Sequence, residues 1–548
     1  MDKLLLVEPY NQIFRHQEVV LAFGLAAKAH EFQVARVSCK GLLKANCLSH
    51  QYLGSNLEAP LSRKLEICSN CSNSNERIQQ IFPFTEHNLE NFIRVENMAE
   101  IDGLMQEYDI RKDDSLKVQN IPVGQFALYD TILRFKIMQL NSVLTQPASD
   151  YYRATLKNCL LMYYSISNLL ESESFDYLAI YNSLYSFNQT ICAVAKDHNT
   201  IPISLSASSN SKNPYARVLI SGKDHSRTYQ ISRYLSKENN AATLKKKVFA
   251  RTYLKHQKKS TLPWQYSVKK STASSKGYLQ ELRDISRHKK IIFCPLSSSD
   301  EVNAYMAGVP SVSRQNLGEI LISNPYTNQI EFIEDILACA SKNPNFYFVI
   351  RLHPRMFSNQ REKLNSDEGA KLMEYLNFAT KDLTNLKFHS GANVSIYDEL
   401  KLANLVLNYM SSVGLDSMLL NIPTITIFQG HVPIDYPLTL SPVLFEREKL
   451  SDAIFETLKS ELNFKDLATD WLYFSRIITT CKIPVYFLSP TLFLLRLLTF
   501  KFRQYSLTAS SIKLLSAVQN LELVVYRKLG FYRKMKYEII NASLLKVV

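Results

Sequence analysis

Three short runs carry the residues best suited to chemistry. The apolar run Phe346–Arg351 (FYFVIR) passes directly into Leu352-His353-Pro354-Arg355. The run Leu405–Asn408 (LVLN) passes into Tyr409-Met410-Ser411-Ser412-Val413-Gly414, where a helical pattern begins. The run Ile291–Pro295 (IIFCP) leads, after Leu296, into Ser297-Ser298-Ser299-Asp300-Glu301. Each apolar run reads as a buried strand, and each polar tail as the tip that follows it. Serine hydroxyls and free backbone N–H groups at a helix start make an anion site, so Ser411 and Ser412 suit a phosphate. Arg351 and His353 add donor or positive character beside them. Pro354 fixes the turn that presents His353. Asp416, near the start of the same helix, is suited to accept hydrogen bonds from ribose hydroxyls. Taken together, the runs predict a nucleotide-phosphate site made without glycine. Plainer readings stay open: Ser411 as an ordinary helix cap, and His-Pro as a turn.

A second cluster is sulfur. Cys39, Cys47, Cys68 and Cys71 fall within 33 residues. The Cys68-Ser69-Asn70-Cys71 pair has the spacing that lets two thiolates grip one ion, so a structural Zn²⁺ is one expectation. Buried or loop cysteines without metal is the other. Cys159, Cys192, Cys294 and Cys339 lie in apolar patterns and read as core.

These residues need a frame. In the first half, Lys3–Glu8, Gln33–Cys39, Tyr177–Tyr181 and Pro202–Leu205 read as strands. His16–Ala29 and Gln189–Asp197 read as helices, a polar stretch runs through Asn75, and helical patterns fill about 86–170. From Lys289 the alternation is cleaner. Strands are expected at Ile291–Pro295, Phe346–Arg351, Leu386–His389, Leu405–Asn408 and Thr424–Phe428, with helices between them. The prediction is an α/β protein with a doubly wound sheet that binds ligand at the carboxyl ends of its strands. The divisions are 1–240, a basic linker at 241–288, 289–480, and basic amphipathic helices at 481–548.

FVIRLHP at Phe348–Pro354, LVLNYMSSVGLDSML at Leu405–Leu419, Pro423-Thr424-Ile425 and the Ser297–Glu301 loop resemble the C-terminal half of bacterial capsule-polysaccharide glycosyltransferases. That group includes Kdo- and sialic-acid-transferring enzymes with His-Pro and Ser-Ser motifs. Glycerol- and ribitol-phosphate polymerases share a similar layout. The resemblance covers about 289–430. It implies a GT-B fold, with two Rossmann-like domains facing a cleft. It also implies a nucleotide-activated sugar donor, CMP-sugar favoured, and a glycan or lipid-linked glycan acceptor at the cell surface. His353, Ser411, Ser412 and Ser298 would then serve the leaving phosphate without metal. Asp300 or Glu301 would take the acceptor proton, with His16 and Glu18 as rivals. The plainer reading of Asp300 and Glu301 is a helix N-cap pair. Asn182 ends a strand on the acceptor side. Many relatives have Asn-Gly-Arg at Asn182-Ser183-Leu184, and Glu at Asp416. A CDP-glycerol or ribitol phosphotransferase and a catalytically silent scaffold are the alternatives.

Composition sets limits. The 548 residues are too many for one core, and 46% apolar with 21% charged residues is ordinary for a globular chain. Glycine numbers 14, with no G-x-G-x-x-G or Walker-type loop. The net charge of +14 is concentrated. Residues 245–290 hold 14 Lys/Arg against Glu281 and Asp284, and residues 482–548 hold 11 against Glu522 and Glu538. No zinc-finger, RRM or helix-turn-helix pattern accompanies them, so nucleic acid is not expected. An anionic membrane surface is, on the inner face of the cytoplasmic membrane. The N-terminus does not read as a signal peptide, and no run is long enough to span a bilayer. Nine cysteines without an export signal imply a reducing compartment.

Overall fold

The computed structural model describes residues 1–9, 12–55, 57–82, 84–111, 114–137, 144–207, 217–222, 226–236, 242–259, 270–308, 325–357, 366, 368–427 and 436–482. The expected C-terminal helices at 483–548 lie outside the described residues.

The first half alternates β1 (Lys3–Val7), α1 (Phe14–Ala29), β2 (Gln33–Ser38), α2 (Leu48–Tyr52), α3 (Leu61–Ile81) and β3 (Thr85–Asn88). Then come α4 (Val95–Arg111), α5 (Val123–Phe135), α6 (Gln146–Ser172), β4 (Tyr177–Tyr181), α7 (Ser186–Asp197), β5 (Ile201–Ala207) and β6 (Arg217–Ser221). The stretch read as polar through Asn75 contains a 21-residue helix, α3. The stretch read as helical from 86 opens instead with the edge strand β3. The strands pair in the order β12-β6-β5-β4-β1-β2-β3, with β12 (Thr480–Lys482) returning from the far end of the chain to lie antiparallel on β6. From β3 to β5 all are parallel. Leu4 and Leu6 face α1 residues such as Phe23, while Leu5 and Val7 face α6 residues such as Leu156. A strand covered on both faces must be apolar throughout, as LLLV is.

The second half contains α8 (Ser226–Leu235), α9 (Leu244–Lys259), α10 (Lys276–Ser286), β7 (Lys290–Pro295), α11 (Ser299–Gly308), α12 (Gln329–Lys342) and β8 (Phe346–Arg351). It continues with α13 (Glu368–Ala379), β9 (Leu386–His389), α14 (Ile396–Leu400), β10 (Leu405–Tyr409), α15 (Val413–Leu419), β11 (Thr424–Ile427), α16 (Leu450–Lys459) and α17 (Phe464–Tyr473). All pairs in its sheet, β11-β10-β7-β8-β9, are parallel. Taken by order of appearance, both parallel cores run 3-2-1-4-5, the doubly wound order in which strand order reverses beside the first strand. The segment expected as a linker holds two packed helices: Ala250 and Tyr253 of α9 and Leu282 of α10 are core residues.

The halves meet where α11 packs on α5. A Cβ added at Gly308 would come within 2.5 Å of the Tyr129 Cβ and 2.8 Å of its Cα, so only glycine permits that approach. No helix among the described residues is long and apolar enough to cross a membrane.

Candidate functional site

Parallel pairing puts the tips of β7, β8 and β10 on one edge, with β7 between the other two. The β7 tip is tied to both neighbours. Leu296 N–H donates to the Arg351 carbonyl at 2.9 Å, and Ser297 Oγ donates to the Tyr409 carbonyl at 2.8 Å. Two strand spacings, about 10 Å, therefore separate the chain at His353 from that at Ser411. The reversal of strand order falls between β7 and β10, whose tips lead into Ser297–Ser299 and Ser411–Ser412.

His353 is half-buried and caps a short 3-10 turn, Pro354–Met356: its Nδ1 accepts the Arg355 backbone N–H at 3.2 Å. Burial and the Arg355 guanidinium push its pKa down to about 4, against a smaller opposing pull from Asp300. Near neutrality the ring is uncharged, and with Nδ1 accepting, the proton sits on Nε2 as a donor. At the β10 tip Met410 takes a left-handed φ of 50°. Ser411 Oγ accepts the Val413 N–H at 3.4 Å, and Ser412 is exposed.

The other expected residues are engaged in the frame around this edge. Arg351, expected on the phosphate, is 2% exposed, and its guanidinium bonds Glu399 and the Gly391 carbonyl. Glu399 also accepts the Tyr278 hydroxyl at 2.9 Å and lies 2.6 Å from His389 Nε2. Burial pushes the Glu399 carboxyl up, but Arg351 and His389 outweigh it and hold the pKa below the usual value. Asp416, expected at a ribose, accepts the Tyr397 hydroxyl at 2.7 Å. Asp300 is fully buried. It receives Ser298 Oγ and, at 2.6 Å, Arg355 Nη2, with Lys136 Nζ of the first half at 3.6 Å. Lys136 Nζ also donates to the Arg355 carbonyl at 3.1 Å. Glu301 pairs with Arg355 at 2.5 Å, yet its side chain is 57% exposed. Ser298 is buried against Asp300 and Glu368. Sequence reasoning missed Arg355 and Lys136. Arg355 adjoins the His-Pro pair and was within reach of it; Lys136 comes from the other half and carried no signal.

The first sheet has its own reversal, between β1 and β4. Asn182 lies there with φ 55°, its side chain accepting the Leu184 N–H at 3.2 Å. His16 stacks on Tyr181 at 4.1 Å between centroids and lies 6.3 Å from Tyr185. Burial pushes the His16 pKa down to about 3. Glu18 is fully buried.

The four clustered cysteines are free thiols, Cys68 half-buried and the others buried. Cys68 Sγ lies 3.4 Å from His50 Nε2, and Cys39 Sγ accepts the Leu43 N–H at 3.5 Å. Among the described residues no three His, Cys, Asp or Glu side chains are arranged to hold a metal ion.

No known family matches the sequence, and no curated protein does. Solved structures do. The β-Kdo 2,4 transferase KpsC of Thermosulfurimonas dismutans is 13% identical over 54% of this chain and 79% of that chain, with a TM-score of 0.32. The S. aureus MnaA–UDP structure is 8% identical over 87% and 95%, with a TM-score of 0.28. The spinosyn rhamnosyltransferase SpnG complexed with thymidine diphosphate is 11% identical over 87% and 96%, with a TM-score of 0.26.

Proposed function

We propose that this chain is a metal-independent glycosyltransferase that takes a sugar from a nucleotide-activated donor, CMP-sugar favoured, to a cell-surface polysaccharide. The observation that carries this reading is the strand-order reversal of the second sheet, flanked by a neutral His353 donor and the Ser411–Ser412 hydroxyls. Such reversals are where doubly wound sheets bind nucleotides. In the reaction the acceptor oxygen bonds the anomeric carbon as the sugar–phosphate bond breaks, its electron pair leaving on the phosphate. His353 Nε2–H and the serine hydroxyls would stabilise that charge. Glu301 is the proposed base, because it keeps an exposed carboxylate while Asp300 and Glu18 are buried. His16 and Asn182, at the reversal of the first sheet, would contact the acceptor.

Thermal melting with CMP, CDP, UDP and GDP tests the reading, since bound nucleotide raises stability by mass action. The expected result is a rise in melting temperature with CMP that His353→Ala abolishes. A rise with CDP alone would point to glycerol- or ribitol-phosphate transfer. No rise with any of them would favour a silent scaffold and end the proposal.

A further inference from the structure

The helix α9, LKKKVFARTYLKHQKK, carries seven Lys/Arg and no acid. Its packing divides them. Ala250 and Tyr253 are buried among Leu415 and Met418 of α15 and Phe464, Ala468 and Trp471 of α17. Beside them Lys246 bonds Asp470 at 2.6 Å, and Lys247 pairs with Asp466 at 3.3 Å. These two lysines fasten the helix to the body. The opposite face is a continuous stripe of Leu244, Val248, Arg251, Lys255 and Lys259, at spacings of three and four residues that put all five on one side. All five are exposed, Leu244 at 77% and Val248 at 52%. An aliphatic tip thus continues into a cationic row.

We propose that this outer face of α9 docks the protein on an anionic lipid bilayer, Leu244 and Val248 entering the headgroup layer and Arg251, Lys255 and Lys259 lying on the charged surface. Charge complementarity selects that occupant. The other basic segment of the chain, 482–548, carries the same sign. Both segments are drawn to one acidic surface, which adds their attractions. Two large aliphatics at the end of the stripe favour a bilayer over a nucleic-acid backbone, which offers them no apolar layer. The inference is independent of the sugar-transfer reading.

The test is co-sedimentation of the full chain with phosphatidylcholine vesicles, with and without phosphatidylserine. Wild-type protein should bind only the acidic vesicles, and less at about 0.5 M salt than at about 0.05 M. Arg251→Glu/Lys255→Glu/Lys259→Glu should lower binding by about tenfold or more with an unchanged melting temperature. The triple Gln variant is the milder check should the Glu variant misfold. Lys246→Ala should do the reverse, lowering the melting temperature while folded protein still binds. Three outcomes overturn the proposal: wild type ignoring acidic vesicles at low salt, a correctly folded triple variant binding as wild type does, or duplex DNA capturing wild type when acidic vesicles do not.

Discussion

His353 Nδ1 accepts the backbone N–H of Arg355 at 3.2 Å, and that one bond decides which ring nitrogen carries the proton. Sequence suggests a His-Pro turn; the cap it makes turns the residue into a neutral donor held at the sheet edge. His353→Ala should cut turnover by a factor on the order of 10² to 10³, as loss of a transition-state donor does. Kinetics should show the loss in kcat more than in KM. Unchanged turnover would remove His353 from the phosphate.

The same ring sets a pH dependence of stability. Unfolded, it titrates near 6.5; folded, it titrates at about 4, because burial and Arg355 disfavour the charged form. The unfolded chain binds the proton first, so this contribution is intact above about pH 6.5 and is lost as pH falls toward 4. His353→Gln should therefore melt with a shallower decline than wild type between pH 6.5 and 4. Parallel curves would show that the ring is not so desolvated.

Asp300 should behave as a fastening between the halves. It is fully buried between Arg355 and Lys136, which come from different halves of the chain. Removing one member of a buried ionic cluster strands its partners, at a cost of about 3–5 kcal/mol. Asp300→Ala should lower stability by that order, and Lys136→Met should show coupling to it in a double-mutant cycle. Additive effects would mean that Lys136 and Asp300 do not interact.

The cysteine cluster is tested by labelling. Cys68, half-buried and beside His50, should alkylate before Cys39, Cys47 and Cys71. Burial pushes the Cys39, Cys47 and Cys68 thiols toward the protonated form. Structural zinc is the proposal that protection tests. One Zn²⁺ per chain should then slow labelling of Cys68 and Cys71 together. Zinc that leaves both rates unchanged would remove it.

Strands buried on both faces announce themselves as unbroken apolar runs, so β1, β4, β8 and β10 were found from LLLV, YLAIY, FYFVIR and LVLN. The strand β3 (TEHN) lies partly exposed at a sheet edge, and β12 (TCK) is only three residues long, so composition says little of either. Pairing β12 with β6 also joins positions some 260 apart, which no local pattern reports. The same limit governs the site. FVIRLHP indicated a tip with donors, but not which arginine would face the ligand. Arg351 is taken by Glu399 and Gly391, and Arg355 by Asp300 and Glu301, all distant in sequence.

Glu8 gives the last prediction. It directly follows β1 and is fully buried, with Arg36 Nε 3.7 Å away. That guanidinium is already committed: its Nη1 reaches Glu86 at 3.2 Å and its Nη2 reaches Asn75 at 2.6 Å. Two buried carboxyls thus share one cation, and the farther one has the weaker claim to a negative charge. Burial raises the Glu8 pKa to about 8, against the smaller opposing pull of Arg36. The folded state therefore holds a proton that the unfolded chain releases near 4.5. Stability from this group is complete below about pH 4.5 and is lost as pH rises through 8. Glu8→Gln keeps the shape and removes the titration. Its melting temperature should fall less than that of wild type between pH 6 and 8.5, and the two should converge in acid. If wild type and variant stay parallel across that range, Glu8 is ionised in the fold and Arg36 serves both carboxylates.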